Sequence, residues 1–174
     1  MAYGRFAMTV ESVSAPIPTK YLELKTIWTD SEGKKHTTSV LPYSGNNNTN
    51  YTCEGSSSLT YYEYHSPIGY GSGIPGTGTN TGNYTAGQWF GNYQLIAGTS
   101  LATSGGYDSK DINGKERIVN NKAHSNSKHT DKDGLDAILG EEWSKKLMKG
   151  NIVTVQLIYL PTNTVIYNEE VIVK

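Results

Sequence analysis

The chain carries one cysteine, Cys53, so no intrachain disulfide can form and the fold must stand on packing. No apolar run approaches the roughly 20 residues that a membrane-spanning helix needs. The first residues, MAYGRFAMTV, include Arg5 but lack the apolar core of a secretory leader. Net charge is also scarce: 15 Lys and Arg against 16 Asp and Glu leave -1. That balance gives no long-range attraction to nucleic acid or anionic lipid. The most local absence lies between Tyr64 and Tyr107, where there is no Asp, Glu, Lys or Arg. These absences predict a chain made in the cytoplasm without a signal peptide, ending in a virion or released particle, with no transmembrane segment and no nucleic-acid partner.

What is present favours strands. The 174 residues include 19 Gly, 13 Tyr and 3 Trp, with abundant Asn, Thr and Ser. Tyr and Thr fit a pleated surface, while Gly and Asn supply turn conformations. Disorder goes with high charge and few aromatics, the opposite of this mixture. A chain of this length is expected to form one domain over residues 1–174.

Apolar residues alternate at Phe6, Met8 and Val10, the period of a half-buried strand. KYLELKTIW alternates again, with Leu22, Leu24 and Trp28 on one face and Tyr21, Glu23 and Lys25 on the other. Gly33 marks a turn, and KHTTSVL reads as the hairpin partner. SLTYYEYH predicts another strand. A long uncharged loop rich in Gly, Thr, Asn and Tyr is expected at about 66–88, followed by strands in QWFGNYQLIAGTSLA. Residues 108–151 then hold 9 Lys or Arg and 8 Asp or Glu, a solvated face of mixed sign. Within them Leu135, Ile138, Leu139, Trp143 and Leu147 recur at helical spacing. That stripe predicts one amphipathic helix over about 133–149, capped by Asp131 or Asp133 and stopped at Gly150. NIVTVQLIYL and VIYNEEVIVK, joined by PTNT, read as a C-terminal β-hairpin. The expected fold is mainly β: an antiparallel β-sandwich or partly closed barrel of 7–8 strands with one helix.

Motifs that would carry chemistry fail on context. GSGIPG matches a dinucleotide fingerprint in letters, but Pro75 and TGTNTGN cannot open the helix whose N-terminus must face a pyrophosphate. His124, His129, Asp131 and Asp133 lack the spacing of a zinc or calcium site. Cys53, with His36 or His65 as a base, has no activated setting around it. The adjacent pairs Glu141–Glu142 and Glu169–Glu170 point apart and form no acid/base couple. The expectation is a protein that is not an enzyme, with no cofactor and no metal.

The uncharged stretch reads as a contact surface instead. Tyr64, Tyr70, Ile74, Pro75, Tyr84, Trp89 and Phe90 supply rigid apolar area, and the missing charges avoid a desolvation cost in an interface. Such a surface suits a self-assembling structural subunit, a homo-oligomer or a component of a virus- or phage-like shell, tail or fibre. The alternative is a lectin-like or toxin-like sandwich binding glycan or lipid. MAY at the start, with Lys20, Leu24, Lys25 and Trp28, resembles the N-terminus of the aegerolysins over residues 1–28. That resemblance implies a lipid-binding β-sandwich.

Overall fold

A computed structural model describes residues 6–43, 66–75, 85–103, 118–119, 122–123, 134–140 and 142–174. The fold is mainly β, built of antiparallel sheets with helical segments ahead of a C-terminal hairpin. Its strands, in chain order, are β1 (Ala7–Thr9), β2 (Ile17–Pro18), β3 (Leu22–Thr29), β4 (Lys35–Val40), β5 (Ile68–Gly71), β6 (Gln94–Leu95), β7 (Thr99–Ala102), β8 (Ile118–Val119) and β9 (Lys122–Ala123). Helices α1 (Gly134–Leu139) and α2 (Trp143–Lys146) follow, then β10 (Ile152–Tyr159) and β11 (Thr164–Ile172). Several of these strands are only two residues long, so the described segments outnumber the expected 7–8.

The main sheet has the order β11-β10-β3-β4, antiparallel throughout. Strict alternation aims Leu22, Leu24, Thr26 and Trp28 inward from β3, as the period of a strand requires. The register sets Val153 opposite Trp28, Val155 opposite Thr26 and Leu157 opposite Leu24. These pairs floor one apolar core.

The second sheet, β1-β7-β5, brings Met8 and Gly69 to either side of Leu101. Phe90, Tyr93, Leu95 and Leu101 join the same core as the main sheet. The described part of the uncharged stretch thus contributes to the interior, with Ile68–Gly71 a strand and Ala86–Gln88 a 3-10 turn, while residues such as Ser72, Pro75 and Ala97 stay exposed. An unpaired charge among the buried side chains of this stretch would be costly. Buried polar groups hold the turns together. Gln88 Nε2–H donates to Gly69 O at 3.1 Å, and its Oε1 accepts from Thr85 N–H at 3.1 Å. Thr19 Oγ1–H donates to Tyr93 O at 2.7 Å, and Tyr93 O–H donates to Pro67 O at 2.8 Å.

The single helix expected over 133–149 is two short ones. Gly140 adopts a φ of 87°, the left-handed conformation that ends α1, and the chain restarts at Trp143. The apolar stripe survives the break, with Leu135, Ile138, Leu139 and Trp143 buried and Leu147 packed beside them. Sheet side chains take the carbonyls at the end of α1, which have no partner within the helix. Thr26 Oγ1–H donates to Ile138 O, and Trp28 Nε1–H donates to Leu139 O at 2.9 Å. Gly150, also at positive φ, belongs to the turn into β10. The expected SLTYYEYH strand and the Asp131 and Asp133 caps lie outside the described residues.

Candidate functional site

The predicted contact residues are dispersed. Tyr64 and Tyr84 lie outside the described residues, as do Cys53, His65, His124, His129, Asp131 and Asp133. Tyr70 and Ile74 are half-buried, and Ile74 packs against the core. Pro75 is exposed. Trp89 is half-buried and meets Tyr43 edge to face, with centroids 4.8 Å apart. Phe90 points the other way: it is 1% exposed and contacts Tyr93 in the core, so its ring offers nothing to a surface. Among the described residues, no group of three or more His, Cys, Asp or Glu side chains is placed to hold a metal ion.

The densest cluster of charge among the described residues was not legible in any motif. The β3–β4 turn is closed by Asp30, whose Oδ1 accepts from the backbone N–H of Glu32 (3.0 Å) and Lys34 (2.9 Å). Its side chain is only 1% exposed. His36 Nε2–H donates to Asp30 Oδ2 at 2.8 Å, and His36 Nδ1 lies 3.6 Å from Glu142. Lys146 reaches Asp30 at 3.5 Å and Glu32 at 3.1 Å, while Lys34 pairs with Glu142 at 3.3 Å. The hub thus ties the turn of one hairpin to α2.

Electrostatics follow this geometry. The hydrogen bond from His36 is the main force holding the Asp30 carboxyl down to about 2, aided by the Lys34 and Glu32 N–H groups and Lys146 against the pull of burial. Glu142 is lowered, first by its hydrogen bond from Lys34, and Lys146 is raised, first by its bond to Glu32. An Asp–His pair could orient a general base. Here both ring nitrogens face carboxylates and one ring face is covered by Trp28, so neither nitrogen is presented to a nucleophile. The hub is built as a clamp.

The most exposed apolar feature is β11. It pairs only with β10 among the described strands and forms an edge of the main sheet. Val165 (47%), Ile166 (43%), Val171 (49%) and Ile172 (62%) are all solvent-exposed, as are Ile152 and Met148 nearby. Glu169 and Glu170 occupy the strand between the apolar pairs, and burial together with Glu169 raises the Tyr167 hydroxyl. The sequence reading placed this strand correctly in a hairpin but gave it no role at an edge. Its signal was the doublets Val165–Ile166 and Val171–Ile172, which break the alternation of a half-buried strand.

No helix among the described residues is long and apolar enough to cross a membrane. Compared with protein-family models, curated proteins and solved structures, the chain has no match.

Proposed function

We propose that this protein is a non-enzymatic structural subunit that assembles with copies of itself, as in a virus- or phage-like shell, tail or fibre. One observation carries the reading: β11 is a nine-residue edge strand, exposed along nearly its whole length and bearing four exposed Val or Ile side chains. An open edge presents unpaired backbone N–H and C=O groups, a template for pairing with another strand. Monomeric proteins blunt such edges with short strands, bulges or inward charge. β11 carries a bulge at Ile166, opposite Leu157 and Ile158, and a charge, Glu169, on the core-facing side, but it is nine residues long and its exposed Val and Ile side chains lie on both sides of that charge. Strand addition takes affinity from main-chain hydrogen bonds and specificity from alternate side chains, which suits repeated contacts between identical subunits.

Light scattering over a range of concentration, followed by negative-stain microscopy, tests the proposal. The expected mass is a multiple of 19.0 kDa that rises with concentration. A monomer at every concentration, with no ordered particles, overturns it.

A further inference from the structure

We infer that the subunits join head to tail, with β11 of one copy adding to β4 of the next and Glu170 set against Lys35. This inference rests on the self-assembly reading above. It specifies which surface receives β11.

The topology supplies the direction. In the order β11-β10-β3-β4 every neighbouring pair is antiparallel, so among the described strands β11 and β4 run in opposite directions at the two edges. A copy shifted sideways by translation therefore lays its β4 antiparallel to β11, with both core layers on the same side. Such a contact does not close on itself, so it propagates into a ring or filament.

Side-chain parity supplies the register. On β11, Tyr167, Glu169 and Val171 stand opposite Leu157, Val155 and Val153 and share the core face. Asn168, Glu170 and Ile172 take the outer face. On β4, His36 and Thr38 stand opposite Trp28 and Thr26 on the core face, and Lys35 and Thr37 take the outer face. Opposing residues of an antiparallel pair must point to the same side. Setting Glu170 opposite Lys35 also sets Glu169 opposite His36, Asn168 opposite Thr37 and Tyr167 opposite Thr38. All four pairs match in face.

Charge favours this pairing over the obvious alternative. A two-fold pairing of β11 with itself, overlapping most of the strand, puts its axis near Asn168. Glu169 then faces Tyr167 and Glu170 faces Ile166 of the other copy, the two Glu169 side chains are diagonal neighbours on one face, and β11 contains no Lys or Arg to offset them. Like charges at neighbouring cross-strand positions repel. β4 instead offers the exposed Lys35. The head-to-tail contact is the one that gives Glu170 an opposite charge.

A charge-swap cycle tests it: wild type, Glu170→Lys, Lys35→Glu and the double variant, by sedimentation at low salt, with circular dichroism to confirm folding. Each single substitution is expected to raise the concentration for half-assembly about tenfold, and the double variant to return to within about threefold of wild type. If Lys35→Glu assembles like wild type while Glu170→Lys does not, self-assembly stands and head-to-tail pairing is overturned. A double variant no better than the weaker single also overturns it. A wild type that stays monomeric removes the underlying reading as well.

Discussion

His36 lies flat on Trp28, with ring centroids 3.9 Å apart and planes inclined by 12°. The two residues are directly paired across β3 and β4, and each faces a different part of the helical segment. Trp28 holds the end of α1 through Leu139 O, and His36 faces Glu142 at the start of α2. One stacked pair thus fixes the break between the two helices.

Trp28→Phe keeps an aromatic ring but removes the donor to Leu139 O. A buried acceptor left without its partner costs about 1–3 kcal/mol. Urea unfolding followed by circular dichroism should show a loss of that size. A loss below about 0.5 kcal/mol means that the carbonyl finds another donor.

Asp30 makes stability depend on acid. Its folded pKa of about 2 lies below the ordinary 3.8, so the folded state favours the carboxylate. The contribution is full above the ordinary value and is lost as pH falls through about 2. Thermal midpoints from pH 6 to pH 2 should fall less steeply in Asp30→Asn, from a lower start at neutral pH. Parallel acid limbs in the two proteins would show that other carboxyls carry the effect.

Gly140→Ala should destabilise the fold by about 1 kcal/mol or more, because an L residue is strained at this φ. The added Cβ would also sit 3.0 Å from Thr38 Oγ1. Gly33→Ala provides a control: its φ is also positive, at 81°, but nothing lies within 4 Å. If the two cost the same, backbone strain alone accounts for Gly140; a larger loss at Gly140 measures the contact with β4.

Ile172→Lys separates folding from association. The side chain is already 62% exposed, so unfolding stability should stay within about 0.5 kcal/mol of wild type. Solution mass should fall, because the added charge opposes burial of the edge. A mass unchanged under conditions where wild type assembles would remove this end of β11 from the contact.

Alternation in KYLELKTIW was enough to read β3 and its inward residues, because one face of it meets the core, and NIVTVQLIYL was legible as the strand β10 of a hairpin. The helical stripe was legible for the same reason: burial imposes its period on Leu135, Ile138, Leu139 and Trp143. Its length was not, since Gly140 gives the same letter whether it sits within a helix or ends one. In the uncharged stretch, glycine content hid that Ile68, Phe90, Tyr93 and Leu101 belong to the core. Gln88 and Thr19 explain this: polar side chains saturate the turns from inside, and their partners are distant in sequence. The Asp30–His36–Glu142–Lys146 hub was hidden likewise, because its members come from β4, α2 and the turn before β4.

The pairing of β3 with β10 also has a consequence in time. β3 can fold back on β4 almost as soon as both are made, but its other neighbour begins only at Ile152. At roughly 5–20 residues per second, β3 waits about ten seconds during synthesis for that neighbour. Leu22, Leu24 and Trp28 spend the interval without Val153, Val155 and Leu157 beside them. The nascent hairpin is thus a sticky, half-built edge, and a polysome carrying many such chains holds them close together before any one is complete.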